Sequence, residues 1–147
     1  MNLIGVARHG IGIAGVPPIA ISVARGIVIE CVRHADRRAL VVQAAAPDPE
    51  HSWLARLGGS FLRVPLPPGL AFAVRIANGR SVVGGVLVAE REVDLGDRPG
   101  TLIRIGHETI ELDRRDGSPA LPVVPRFLGL VHAEALVRRL PGREAAA

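Results

Sequence analysis

The 147-residue chain has no lysine and no tyrosine, one cysteine, two asparagines (Asn2 and Asn78) and one glutamine, Gln43. With Cys31 alone, an intrachain disulfide is excluded. The aromatic side chains are Trp53, Phe61, Phe72 and Phe127. They are few as stacking platforms for unpaired bases, and three of them sit in apolar settings that suggest core. With lysine absent, all 18 basic residues are arginine; together with abundant Ala, Gly, Pro and Val this reads as GC-rich, bacterial coding, so arginine richness by itself says little about function. The net charge of +4 is split along the chain. Residues 1 to 80 carry nine arginines against four acids, 81 to 125 five against eight, and 126 to 147 four against two. Phosphate tracking needs clustered cations, so a nucleic-acid partner is not expected.

Long apolar runs are also missing. Arg8, His9 and the prolines interrupt the first thirty residues, so neither a signal peptide nor a membrane span is expected, and the expected location is cytoplasmic. Yet 48% of the residues are hydrophobic, which is high for a soluble chain of this size. Some of that surface is expected to be covered by a protein partner or a second copy.

The stretch "HGIGIAGVPP" contains glycines 10, 12 and 15 in GxGxxG spacing, with Glu30 about twenty residues on, as a dinucleotide-binding loop would have. Two features argue against a cofactor. Arg8 and His9 separate the apolar "LIGVA" from Gly10, and Pro17 and Pro18 fall where the phosphate-binding helix would begin. The expectation is instead two short strands, "LIGVA" and "IAISVA", joined by a Gly/Pro loop, with no dinucleotide bound.

Asn78-Gly79 lies between two alternating runs and predicts a β-hairpin with a two-residue turn. With Ala77 opposite Arg80, one face carries Leu70, Phe72, Val74, Ile76, Val83 and Leu87 as core. The other carries Arg75, Val82, Val86, Val88, Glu90 and Glu92, half apolar and half charged, and is the expected partner-binding face. "TLIRIGHETIEL" predicts a second hairpin turning at Gly106-His107 with Ile103 opposite Ile110. "GIVIECV" and "ALVVQA" read as strands joined through "RHADRR". A short helix is expected near 49–57, with Asp48 as cap, Pro49 at its first position and Trp53, Leu54 and Leu57 on its apolar side. A C-terminal helix is expected near 126–140, with a stripe of Leu130, Ala133, Leu136, Val137 and Leu140; residues 143–147 read as a frayed tail. Strands on short turns with two non-alternating helices predict a mainly β single domain over 1–147, a small β-sandwich or β-barrel of antiparallel hairpins.

For chemistry, Cys31, His34 and Asp36 form the best local cluster, but a closed zinc site needs four ligands and a catalytic thiol needs an oriented base. His9, His51, His107 and His132 lack the spacing to complete either. Glu90, Glu92 and Asp94 at alternate positions read as an arginine-paired or solvated edge. No serine has a GxSxG setting. No catalytic, metal or cofactor site is therefore assigned.

The segment "GRSVVGGVLVAEREVDL", followed by "PRFLGLVHAEALVRRL", resembles the second half of chemotaxis coupling proteins, which are twin β-barrel adaptors of similar length. The resemblance covers under half the chain and is carried by apolar spacing; residues 1 to 60 lack that family's opening pattern. It implies an adaptor. The expected function is thus a non-catalytic protein-interaction or self-assembling β-rich module. The alternative is a small-molecule-binding or hydrolytic barrel with a pocket near Cys31, His34 and the Trp53 helix.

Overall fold

A computed structural model describes residues 7–33, 35–47, 50–106, 108–124, 127 and 129–140. It is mainly β, and its elements among the described residues include one mixed eight-stranded sheet and three bounded α-helices. In chain order these are β1 (Ile11–Ala14), α1 (Pro17–Val32), β2 (Leu40–Ala45), α2 (Glu50–Ala55), β3 (Ser60–Arg63), β4 (Leu70–Asn78), β5 (Ser81–Ala89), β6 (Thr101–Ile105), β7 (Ile110–Asp113), β8 (Leu121–Pro122) and α3 (Leu130–Arg139). Across the sheet the order is β3-β2-β4-β5-β1-β6-β7-β8. β1 is parallel to both β5 and β6, β2 is parallel to β3, and the remaining pairs are antiparallel. The sheet runs in linear order from β3 to β8, so among the described residues it is one open sheet. The expected sandwich or barrel, and the twin barrels implied by the resemblance, are not formed.

The largest departure from expectation is α1, which occupies the residues read as strands "IAISVA" and "GIVIECV". Pro17 and Pro18 sit at its first two positions, where a missing N–H costs nothing because those donors have no partner inside a helix. A polar set at Ser22, Arg25, Gly26, Glu30 and Arg33 recurs at helical spacing. The rest is apolar nearly all round, because α1 packs on β5 on one side and α3 on another. Burial of Ala20, Val23, Ala24, Ile27, Val28, Cys31 and Val32 outweighs the strand preference of its β-branched residues.

The hairpin forms, but not in the expected register. Asn78 pairs with Ser81 and Ala77 with Val82, so the turn residues are Gly79 and Arg80. This moves the pairing by two and leaves the faces unchanged. A bulge between Ile76 and Ala77 then shifts it by one, giving Ile76 opposite Gly84, Val74 opposite Val86 and Phe72 opposite Val88. A one-residue slip exchanges faces. Val86 and Val88 consequently enter the core, both essentially inaccessible, and Leu87 turns to the other side. Asn78 ties the turn down by donating to the Asp36 carbonyl, 3.2 Å away. In the second hairpin Ile110 faces Ile105 and Ile103 faces Leu112, again two positions from expectation; His107 lies outside the described residues.

The helices expected near 49–57 and 126–140 form as α2 and α3. Asp48, Pro49 and residues 143–147 lie outside the described residues. Glu50 is buried in an ion pair with Arg25 of α1, and it accepts from Trp53 Nε1 at 2.6 Å. Arg37, also buried, donates to the carbonyls of Arg56 and Leu57 beyond α2 and of Leu140 at the end of α3, the last at 3.2 Å. It joins the C-terminal ends of two helices, where positive charge is favoured.

Candidate functional site

The main core lies between the helices and one face of the sheet. Among the described residues the other face has no α-helix. Part of it is covered by residues 90–100, which leave β5, cross β1 and enter β6. Leu95 of this strap packs with Ala14, Leu70, Ala89 and Leu102. Its anchors are ionic. Arg104 donates to both Glu92 carboxylate oxygens, at 2.9 and 3.0 Å, and to Asp113 at 2.8 Å. Arg115 donates to the carbonyls of Gly96 and Pro99. The Arg104 hydrogen bonds hold the Glu92 carboxyl below its usual range, and the backbone N–H of Arg115 does the same, ahead of Arg104, for Asp113.

This strap accounts for the early glycines. A Cβ at Gly12 would lie 2.7 Å from the Pro99 ring and 3.1 Å from Leu95, and one at Gly15 would lie 2.8 Å from Ile105. Gly10 has φ +88° beside Pro99. The spacing therefore serves close packing around β1 and not a loop between strand and helix, since only Gly15 and Val16 separate β1 from α1. The turn is also poor in donors. Pro17 and Pro18 have no N–H, Gly15 donates to Ala89, and Ile19 and Ala20 both donate back to Val16. Glu30 sits near the far end of α1, away from the position a ribose-binding acid takes after a second strand. Correcting the sequence expectation, the helix does form; its prolines instead remove the amides a phosphate would use.

The remainder of the helix-free face, over β2, β4 and β5, forms an open groove of about 340 Å³. Its floor is built in cross-strand rows. Gln43, Arg75 and Gly85 are successive partners in the middle row, flanked by Val41, Ala77 and Val82 on one side and by Ala45, Ala73 and Leu87 on the other. Val64, Pro65 and Pro67 of the β3–β4 connector wall one side, and Arg8 and Gly10 the other. A Cβ at Gly85 would meet only the Val74 carbonyl within 4 Å, so this position opposite Arg75 is open space. Among the described residues, no Asp, Glu, His, Cys or Ser lines the groove. Arg8 and Arg75 have no ion-pair or hydrogen-bond partner among the described residues. Beside the groove, Val41, Leu62 and Leu66 are exposed, Leu62 by 53%.

The expected partner-binding set is thus divided. Arg75 and Val82 line the groove, Val86 and Val88 are core, Glu90 is exposed, and Glu92 anchors the strap. The bulge is what separates them. Leu87, Gln43 and Gly85 are site residues that the sequence reading did not select. Gln43 was visible as the sole glutamine in an apolar run, but nothing local showed that it would face Arg75.

Of the Cys31 cluster, Cys31 and Asp36 are among the described residues. Cys31 lies inside α1 against the Gly84 position, and burial first, then Glu30, pushes its thiol up to about 11. Asp36 caps the short 3-10 turn at Arg37–Ala39 by accepting from the Arg38 amide. His34 lies outside the described residues, and no group of three potential metal ligands occurs among those described. No described helix is long and apolar enough to cross a membrane. No protein-family model, curated protein or solved structure matches the chain.

Proposed function

We propose that this chain is a non-catalytic interaction module that engages a partner protein through the helix-free face of its sheet between β3 and β5. The observation that carries the reading is unequal cover. Helices and the strap bury both faces of β1, whereas the β2-β4-β5 floor is left with half-buried Ala73, Val82 and Leu87 beside exposed Val41, Leu62 and Leu66. A sheet face of this composition is ordinarily packed against another layer. A partner's strands laid here would supply the second β-layer that the hairpins alone suggest. Among the described residues the groove is lined by no general base or nucleophile, which favours binding over catalysis. The alternative pocket near Cys31 and Trp53 has less support, because both side chains are packed into the helix-side core.

Self-association by a two-fold axis through the groove is disfavoured because it would bring two copies of Arg75 together. Photo-reactive residues placed at Leu62 and Val41, with Val131 on α3 as control, test the proposal in cells producing the chain. Discrete adducts from the first two positions and none from the third are expected. Adducts of equal yield from all three, or a concentration-dependent dimer that Arg75→Glu abolishes, would rule out a hetero-partner at this face.

A further inference from the structure

Resting on that interface reading, we infer that the occupant of the groove is an extended acidic segment of the partner protein, with a carboxylate held between two apolar side chains two positions to either side. Three observations converge on this chemistry.

The first is charge. Among the described residues, the charged side chains that line the groove are Arg8 and Arg75. The guanidinium of Arg104, on the same face of the sheet, is by contrast spent on Glu92 and Asp113. A carboxylate accepts from the paired N–H donors of the Arg75 guanidinium, and the Gln43 amide directly across from Arg75 adds a further donor. A lysine-bearing or uncharged segment leaves the guanidinium without an acceptor.

The second is shape. Gly85 removes the side chain that would otherwise stand opposite Arg75, so the ionic row is a slot left clear as far as the wall formed by Arg8 and Gly10. The Val64–Pro67 connector closes the other direction.

The third is period. Along β2 and β4, the row of Gln43, Arg75 and Gly85 is separated from each apolar row by two residues, about 7 Å. An extended chain lying along β4 repeats its same-side residues at that interval. It would set an apolar residue over Val41, Ala77 and Val82, an acid over Arg75, and another apolar residue over Ala45, Ala73 and Leu87.

Fluorescence anisotropy with labelled peptides tests this. Each has leucine at its first and fifth positions, serine between, and glutamate, glutamine or lysine at the third; a further peptide moves the glutamate to the first position. The full chain should bind the third-position glutamate peptide at least about tenfold more tightly than the others, and added salt should narrow that gap. Arg75→Gln should remove the preference while leaving the glutamine peptide unchanged, and Arg138→Gln on α3 should alter nothing. Gly85→Leu should weaken all the peptides; circular dichroism establishes that it is folded, and Arg75→Gln carries the conclusion should it not be.

Equal binding of glutamate and glutamine peptides, tighter binding of the lysine or permuted peptide, or a simple fatty carboxylate binding as tightly as the peptide would each overturn the inference. If adducts still form at Leu62 and Val41 while no acidic preference is seen, the interface stands and only this occupant is lost. If neither is seen, both fail.

Discussion

A methyl group at Gly12 would meet the Pro99 ring at 2.7 Å, and neither the central strand nor the anchored strap can yield easily. Gly12→Ala is expected to destabilise by about 2–3 kcal/mol, whereas Gly79→Ala, with φ +65° but open space around it, costs only backbone strain of about 1 kcal/mol. Urea unfolding of the two variants checks the difference. Arg37 gives the converse case, a charge kept in the interior by carbonyl acceptors. Arg37→Met strips donors from Arg56, Leu57 and Leu140 together and is expected to cost about 3 kcal/mol. Cys31 should resist alkylation near pH 8 in the native chain and react readily once unfolded, because its folded ionisation is raised to about 11. The sign for stability follows: its contribution is complete below the thiol's ordinary value and falls as pH rises through about 11. Mass spectrometry of iodoacetamide adducts with and without urea measures the reactivity.

The elements show what the sequence could tell and where it could not. α2 and α3 were legible because a terminator and an apolar stripe coincide in each. The two hairpins were legible as pairings. α1 was misread because β-branched residues at 19–32 suit either state locally, and the deciding energy is burial against β5 and α3, elements much later in the chain. The prolines stand at the start of α1, where a missing N–H leaves no helical bond unmade; Pro18→Ala is accordingly expected to change stability by less than about 1 kcal/mol. Of the groove residues, Arg75 and Val82 were visible. Gly85 and Leu87 depended on one bulge, which no residue type marks and which exchanges the faces of β5 beyond it, and Gln43 on the pairing of β2 with a strand much later in the chain. Between helices, Glu50→Gln removes the charge that holds Arg25 and Trp53 together. Breaking such a buried pair is expected to cost about 3–5 kcal/mol, with a changed Trp53 emission before global unfolding as its local sign.

On the scale of the whole molecule, the two faces of the sheet differ in what closes them. The helix side is held by apolar packing, while the strap depends on ion pairs that titrate. Glu92 and Asp113 ionise below the usual carboxylate range, so their contribution is present above the unfolded value near 4 and is lost as pH falls through the depressed folded values. Amide exchange in residues 92–100 should therefore accelerate at acid pH ahead of α1, and Arg104→Gln should bring that acceleration to higher pH; unchanged exchange in the variant would show that apolar contacts alone secure the strap. The topology also orders assembly in time. β1 contacts its only partners in β5 and β6, some seventy to ninety residues downstream. A nascent chain therefore emerges from the ribosome with its central strand waiting, and the sheet cannot knit until translation has delivered residue 105.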